Sequence, residues 1–151
     1  MHRLHCALRE TGADSRLLCQ NENLKLPYLS NMGNDRKIDK PLKRLAHQLG
    51  LNDVYKLSSL KLKNHKAVRA ADILHLHGTH NGFINDLAIP SFTKNKPTVF
   101  TLHDMWLLTG HCAISYECEK WKTGCGHCPH LNAPPVVKRD NTRTEFKLKK
   151  W

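Results

Sequence analysis

The spacing of apolar residues predicts a helix and then a strand at the start of the chain. Leu4 and Leu8 fall on one helical face, and Gly12 follows them as a helix stop. A first helix is therefore predicted from residue 2 to residue 12. The next segment, SRLLCQ at 15–20, is a short apolar run of strand length. This order is unusual because no strand precedes the first helix.

A polar loop and a second helix are predicted next. Residues 21–39 are polar, contain Pro27 and Gly33 and show no sustained period, so we expect a long loop there. Pro41 suits the first turn of a helix that ends at Gly50. The apolar residues of that helix repeat at helical spacing and are Leu42, Leu45, Ala46 and Leu49.

Two later apolar runs have the length and β-branched content of strands. They occupy 73–76 and 98–102, and a helical stretch at 83–88 separates them. Strand, helix and strand at this spacing predict a right-handed βαβ unit with a parallel sheet. After Asp104, glycines and prolines interrupt any period until a basic helical segment begins near Thr142. The predicted class is α/β, a parallel sheet followed by an irregular, cysteine-rich segment.

Composition and charge fit one soluble globular domain. The 151 residues are 40% hydrophobic and 25% charged, which is near the average for such domains. The formal net charge of +11 favours an anionic partner, such as nucleic acid, a phosphate-bearing substrate or an anionic membrane surface. The basic residues are spread along the chain without a block of five like charges, so nucleic acid is not expected.

The sequence also bears on location. No stretch approaches the roughly 20 apolar residues that span a bilayer, and the start MHRLHCALRE lacks the apolar core of a signal peptide. We therefore expect a cytoplasmic protein, in which six cysteines are thiols or metal ligands rather than disulfides. The positive charge is compatible with peripheral attachment at the anionic inner face of the membrane.

Histidines follow both of the later strands, His77 in ADILHLHGTH and His103 in PTVFTLHDMW. Ligands of open parallel sheets bind beyond the carboxyl ends of the strands. Imidazole can act there as a base or as a hydrogen-bond donor to developing negative charge. Both histidines are therefore candidate site residues. The alternative is that they, like His75 and His80, only reflect a chain with eleven histidines.

Three neighbouring residues each have two interpretations. Asp104 could orient an imidazole or accept a substrate hydroxyl, but it could equally cap a helix. Gly78 would let the backbone approach a ligand closely, or it only makes the turn that leaves the strand. Trp106 could form an apolar platform under a sugar ring, although the core is the expected place for this tryptophan.

Four cysteines fall close together in the irregular segment, at Cys112, Cys118, Cys125 and Cys128. The last two form the Cys-x-x-Cys spacing common in tetrahedral zinc sites, and four thiolates could close a structural zinc site. The first two are farther apart than usual zinc-knuckle pairs, so a redox pair or unliganded thiols stay as alternatives. His111 and His127 are substitute ligands, and Cys6 and Cys19 are expected in the core.

Residues 71–131 closely resemble the amino-terminal half of family 4 glycosyltransferases, specifically the bacterial colanic-acid and exopolysaccharide type. The motifs that carry this resemblance are ADILHLHGTHNGF, KPTVFTLHDMW, TGHC and WKTGCGHCP. RLHCALRETGADSRLL also resembles the first helix and second strand of that domain. The resemblance implies a GT-B architecture of two Rossmann-like domains around a cleft. Residues 1–151 would be an incomplete amino-terminal, acceptor-side domain, with a Cys-rich insertion at 110–131.

The resemblance also implies an activity and residue roles. Members transfer a sugar with retention from a nucleotide-sugar donor to a polysaccharide or lipid-linked saccharide acceptor, with no metal or other cofactor at the reaction centre. His103 would be the catalytic residue beside the transferred sugar, and His77, Gly78 and Asp104 would contact the acceptor. The donor would bind mainly to the carboxyl-terminal domain. Family membership does not decide whether the cysteines hold a structural zinc ion.

The chain departs from the family pattern at both ends. Members begin with a strand and a glycine-rich loop and continue into a donor-binding domain, and this chain has neither. The missing strand is normally central, so strands at 15–20 and 73–76 would flank a gap with unpaired backbone groups. We therefore expect the isolated chain to be unstable and inactive, and a cooperative melt together with sugar transfer would contradict this. The alternatives are a non-catalytic, basic zinc-binding module and a degenerate gene remnant.

Overall fold

The structure, a computed structural model, describes residues 1–20, 26–32, 36–80 and 82–150. Within these ranges the fold is mixed α/β, and its short elements are joined by irregular segments. The α-helices are α1 (His2–Glu10), α2 (Arg36–Gln48), α3 (Lys66–Ala70), α4 (Ile89–Thr93), α5 (Lys120–Thr123) and α6 (Thr142–Leu148). The strands are β1 (Leu17–Cys19), β2 (Leu29–Asn31), β3 (Leu74–His77) and β4 (Thr98–Thr101). Short 3₁₀ helices occupy Leu57–Asn64, Asp86–Ala88 and Trp106–Leu108.

The strands β3 and β4 form the parallel pair that the sequence predicts. Leu74 lies opposite Thr98, and His77 lies opposite Thr101. Because parallel strands run in the same direction, this register brings the carboxyl ends of β3 and β4 to the same edge. The prediction of two adjacent parallel strands is confirmed.

The connection between β3 and β4 differs in detail from its prediction. A helix was expected at 83–88, whereas the structure has a 3₁₀ helix at Asp86–Ala88 followed by α4. The side chain of Asn85 accepts a hydrogen bond from the Leu87 amide at 3.0 Å and so starts the 3₁₀ helix. Pro90 lies in the first turn of α4, where its missing N–H costs nothing. The helical residues therefore start later than the apolar spacing suggested.

The strands β1 and β2 form a second parallel pair, in which Leu17 lies opposite Leu29. The amide of Met32 extends this pairing by donating to the Cys19 carbonyl at 2.9 Å. Since β2 lies inside 21–39, the prediction of a continuous loop there is wrong, although part of that segment lies outside the described residues. A three-residue strand is too short to show an alternating pattern, so only its backbone pairing reveals it.

The helix α2 begins earlier than predicted. Its first residue is Arg36, so Pro41 lies inside the helix and not in its first turn. Pro41 removes one backbone hydrogen bond, which disfavours a helix there. Buried Asp39 offsets this loss by accepting a 2.6 Å hydrogen bond from the Ser58 hydroxyl, with the Lys56 ammonium 3.8 Å away. A tertiary contact therefore holds the first turns in helical form.

The helix α1 agrees with its prediction, but its apolar face is not covered. Leu4 and Leu8 are each 39% exposed. Cys6, on the same helix, and Cys19, in β1, are therefore only partly buried. The expectation that both cysteines belong to the core is wrong, because in the described part of the chain α1 and β1 lie near the surface.

One apolar core joins the two strand pairs. In the part of the chain that the structure describes, β1 pairs with β2, β3 pairs with β4, and no strand links the pairs. The buried core residues are Leu62, Val68, Leu74, Ile84, Ala88, Ile89 and Phe92. Leu18 and Met32 from the first pair also pack against them, so side-chain contacts hold the pairs together where hydrogen bonds do not.

The two faces of the β3–β4 pair differ in exposure. Leu74 and Leu76 face the core, as alternation along a strand requires. Ile73 and Val99 point the other way and are 63% and 53% exposed. His77 shares this parity with Ile73, so the predicted site lies at the uncovered face of the pair.

Candidate functional site

His77 and His103 meet at the carboxyl edge of the β3–β4 pair. His77 is the last residue of β3, and His103 follows two residues after the end of β4. The Nδ1 atom of His77 lies 3.0 Å from Nε2 of His103, and the two rings are stacked with centroids 5.3 Å apart. One of these nitrogens must carry a proton and donate it in a hydrogen bond to the other, so the two rings share one proton between them. The two predicted site residues are therefore in direct contact, while their roles stay predictions.

His75 extends this pair into a row of three imidazoles. We call His75, His77, His103 and Asp104 together the histidine edge. The rings of His75 and His77 have centroids 4.1 Å apart, and Nε2 of His75 lies 2.7 Å from the Thr101 hydroxyl oxygen. Burial lowers the pKa of His77, and the neighbouring His75 and His103 lower it further. His77 is therefore neutral at pH 7 and can act as a hydrogen-bond acceptor or base.

Asp104 orients an imidazole, one of its two alternatives, but it is not the N-cap of the following 3₁₀ helix, which is Met105. The Oδ1 atom of Asp104 accepts a hydrogen bond from the Trp106 amide at 2.8 Å, which fixes the turn after β4. Its Oδ2 lies 2.6 Å from Nε2 of His80. The imidazole that Asp104 orients is therefore that of His80 and not that of His103. The sequence contained one signal for this contact, because His80 and Asp104 follow neighbouring strands at similar distances from the strand ends.

Gly78 leaves open space beside the histidine edge. Its φ of +39° is in the region that favours glycine, so it makes the turn that leaves β3. A Cβ atom placed on Gly78 would meet no other atom within 4 Å. The backbone is therefore accessible from this side, as close approach of a ligand requires.

Trp106 lies in the core, as expected, and not under a ligand. It is 1% exposed, and its indole N–H donates to Oδ2 of Asp86 at 3.1 Å. The Nζ atom of Lys149 lies 3.3 Å from the ring centroid and donates to the Trp106 carbonyl at 3.1 Å. The alternative that Trp106 forms a platform for a sugar ring is wrong, because its side chain is almost fully buried within the protein.

A cluster of buried charged groups, Asp86, Glu145 and Lys149, was missed by the sequence analysis. Asp86 and Lys149 are 2% and 7% exposed. Burial raises the pKa of Asp86, which the positive charge of Lys149 opposes. Burial likewise lowers the pKa of Lys149, which the charges of Asp86 and then Glu145 oppose. The only sequence signal was the spacing of Glu145 and Lys149, four residues apart on a predicted helix.

Two buried carboxyl groups, Asp53 and Glu145, accept hydrogen bonds from backbone amides far from them in the sequence. Burial raises the pKa of Asp53 to about 6 and that of Glu145 to about 7, and it is the largest cause in both cases. Asp53 accepts a hydrogen bond from the Gly82 amide at 2.6 Å, and Glu145 accepts one from the Asn52 amide at 2.9 Å. These groups therefore titrate close to neutral pH and make this part of the fold sensitive to pH.

The cysteine segment, residues 110–131, packs against α6 and contains the four predicted ligands. All four line one cavity and, like the other two cysteines, are free thiols, at Cys112, Cys118, Cys125 and Cys128. Burial raises the thiol pKa of three of them, Cys112, Cys125 and Cys128. Among the described residues, no three His, Cys, Asp or Glu side chains stand in ligating geometry for a metal ion.

His111 lies in the wall of the same cavity. It is 2% exposed, and neither ring nitrogen makes a hydrogen bond of sound geometry. Burial lowers its pKa, and the nearby Pro135 carbonyl opposes this shift. The other substitute ligand, His127, is exposed to solvent. The predicted residues thus form two groups, one at the histidine edge and one in the cysteine segment.

The comparison with curated proteins points to sugar transfer. The chain is 44% identical over 75 residues to a protein of Escherichia coli strain K12, WcaC, whose name describes it as a putative colanic acid biosynthesis glycosyl transferase. The match covers 45% of this chain and 18% of that protein, so it spans about a fifth of the relative's length. No family model and no solved structure matches the chain. The match supports a relationship to glycosyltransferases.

In the part of the chain that the structure describes, no helix is both long enough and apolar enough to cross a membrane.

Proposed function

We propose that this chain is the acceptor-side part of a GT-B glycosyltransferase of the family 4 type. It would be an incomplete Rossmann-like domain of an enzyme that transfers a sugar from a nucleotide-sugar donor to a polysaccharide or lipid-linked saccharide. The contact between His77 and His103 at the carboxyl edge of two parallel strands carries this proposal. The similarity to a protein named for colanic acid biosynthesis supports both the reaction class and the saccharide acceptor.

The histidine edge has the polar groups that sugar recognition requires. Sugar hydroxyl groups both donate and accept hydrogen bonds, and imidazole can do both. His103 is exposed and its Nε2 is in contact with His77, so its Nδ1 is the ring nitrogen left to meet a substrate. We assign His103 to the transferred sugar, and His77 and Gly78 to the acceptor.

Asp104 supplies an acceptor for a sugar hydroxyl. Each carboxylate oxygen has two lone pairs, and one on each is used by the Trp106 amide or by His80. The remaining lone pairs can accept a hydroxyl hydrogen while the carboxylate stays fixed at both oxygens. A fixed acceptor places the acceptor hydroxyl with little further loss of conformational freedom.

The donor site belongs, in this proposal, to a second domain outside these 151 residues. The negative charge that develops on the leaving nucleoside diphosphate needs basic groups, and we assign them to that domain. The reaction would retain the anomeric configuration and use no metal at the reaction centre. It follows that the 151-residue chain alone would bind an acceptor but would not turn over.

Replacement of His103 in the enzyme that contains this segment tests the proposal. We expect His103→Ala to lower kcat/KM for sugar transfer by about 100-fold or more, because a positioned acid or base typically contributes that much. His2→Ala is the matched control, since His2 is an exposed histidine of α1 outside the site. Equal turnover in both variants would refute the proposed catalytic role of His103.

A further inference from the structure

We propose that the cysteine segment is a metal site in which the thiolates of Cys112, Cys118, Cys125 and Cys128 bind one zinc ion. The site would be structural and closed, with four sulfur ligands and no position for a substrate. It is independent of the donor and acceptor chemistry proposed above.

The first argument is the convergence of the four thiols. All four line a single cavity although they come from four positions over seventeen residues of chain. None of them forms a disulfide. Four free thiols around one cavity match the number and type of ligands in a tetrahedral Cys₄ zinc site.

The second argument is the backbone around the Cys-x-x-Cys pair. Gly124, Gly126 and His127 all have positive φ, at 125°, 138° and 49°. Three such residues in four positions fold the chain tightly around Cys125 and let its side chain face the same cavity as that of Cys128. A left-handed conformation at His127 is unfavourable for a residue with a Cβ, so it persists only where the surroundings impose it.

The third argument is the supply of hydrogen-bond donors to sulfur. The Gly110 amide donates to Sγ of Cys125 at 3.2 Å. Donors favour the charged thiolate, which is the form that binds metal. Lys120 also lines the cavity, and its positive charge would partly balance the doubly negative metal centre.

The fourth argument is the buried His111 on the cavity wall. A fully buried imidazole without a sound hydrogen bond is costly, and such groups need an explanation. With thiolates in the cavity, the ring N–H would have an anionic acceptor. We therefore assign His111 as a donor to a ligand sulfur, which is the supporting role that groups around metal sites commonly have.

Metal binding requires the four sulfur atoms to move into ligating positions. The described side chains do not stand in ligating geometry, whereas zinc–sulfur bonds are about 2.3 Å long. Binding would draw the four sulfurs inward and release their protons, so that one Zn²⁺ and four thiols give one tetrathiolate complex and four H⁺. This movement would tighten the packing of Gly110 and the segment against α6.

Metal analysis of the purified complete chain, expressed with zinc in the medium and without chelators, tests the proposal. We expect about one zinc ion per chain, as a closed Cys₄ site binds a single metal. Co²⁺ substitution should give the intense visible bands of tetrahedral cobalt thiolate. Zinc far below one per chain together with absent cobalt bands would overturn the proposal.

Variants and a wild-type measurement make the test independent of folding. Cys125→Ser should lose the metal, whereas Cys6→Ser, a matched cysteine control outside the segment, should keep it. In the wild-type chain, a mercurial reagent that modifies thiols should release zinc, with one zinc ion released for the four ligand cysteines that are modified. Zinc retained after all thiols are modified would also contradict the proposal. None of these readouts depends on sugar transfer, so a failed proposal here leaves the proposed function standing.

Discussion

The histidine edge and the cysteine segment differ in how their side chains are held. At the histidine edge, His75 and His103 are exposed, and their contacts are to one another and to short stretches of β3 and β4. Beside the cysteine segment, contacts join positions far apart along the chain, as when Lys149, directly after α6, donates to the Thr109 carbonyl at 3.3 Å. The exposed side chains of the histidine edge can contact a ligand, whereas the side chains in and beside the cysteine segment make their contacts within the fold.

This difference has an energetic consequence. Exposed polar side chains contribute little to stability, so substitutions at the histidine edge should affect chemistry far more than folding. Buried charged groups are costly when a partner is removed, so substitutions near the cysteine segment should affect folding first. Four sets of stability measurements on the purified chain test this contrast.

The largest effect is expected for Lys149→Met. This change keeps the side-chain bulk but removes the ammonium that donates to the buried Trp106 and Thr109 carbonyls and lies over the Trp106 ring, at a cost of about 2–4 kcal/mol in the free energy of unfolding. Urea denaturation monitored by tryptophan fluorescence would measure it. Lys147→Met, an exposed neighbour on α6, should change stability by less than about 0.5 kcal/mol. Similar losses for the two variants would show that the buried contacts of the Lys149 ammonium contribute nothing to stability.

Two glycines, one in each region, give the next largest contrast. A Cβ on Gly110 would overlap the Thr142 carbonyl oxygen and lie 2.9 Å from Cβ of Cys125, so Gly110→Ala should cost about 2–3 kcal/mol. A Cβ on Gly78 would meet no atom, so Gly78→Ala should cost only about 1 kcal/mol for the positive φ. Thermal unfolding of both variants measures the difference. The contrast between the regions fails if Gly78→Ala is the more damaging change.

The pH dependence of stability should come mainly from the buried carboxyl groups. Because the pKa of Glu145 in the folded state is about 7, above its usual 4.5, the folded chain binds more protons than the unfolded chain between these values. Stability from this group is therefore greatest at low pH and falls as pH rises through 7, by on the order of 1–2 kcal/mol between pH 5.5 and 8.

Glu145→Gln isolates this effect. Glutamine keeps an oxygen that can accept the hydrogen bond from the Asn52 amide, but it does not titrate. Unfolding free energies measured across pH 5.5–8 should therefore decline less in this variant than in the wild type. An unchanged slope would mean that Glu145 does not titrate in this range.

The smallest effect is expected for His77→Gln. Since the folded-state pKa of His77 is lowered, the unfolded chain binds its proton more readily, and this group destabilises the fold as pH falls below about 6.5. The side chain is largely hydrated, so the variant should gain only slightly in thermal midpoint at pH 5.5 and should match the wild type at pH 8. A clear loss of stability at pH 8 would place His77 in the structural framework.

The local parts of the fold were predictable because their signals are local. Alternating apolar residues located β3 and β4 within one residue or two, and the parallel pairing followed from the length of the connection. The contact between His77 and His103 followed in turn, since parallel strands end at one edge. The convergence of four cysteines was foreseeable from spacing alone, whereas metal binding stays a prediction.

Other features had no local signal. The short strand β2 is visible only through its pairing with β1, and α2 starts at Arg36 because Asp39 is held by Ser58 from another part of the chain. Each of these depends on a partner that pattern and propensity do not identify. The predictions for 21–39 and for Pro41 failed for this reason.

The sequence by itself determined the α/β class, the βαβ unit, the histidines at its edge and the cysteines in the irregular segment, because side-chain periodicity and strand direction are properties of neighbouring residues. Only the tertiary structure decided that Asp104 orients His80 and that Lys149 lies against Trp106 and near Asp86. These contacts join residues 24 to 63 positions apart, by their numbers in the chain. Packing brings such residues together and burial makes their pairing necessary, since an unpaired charge in the core would be strongly destabilising.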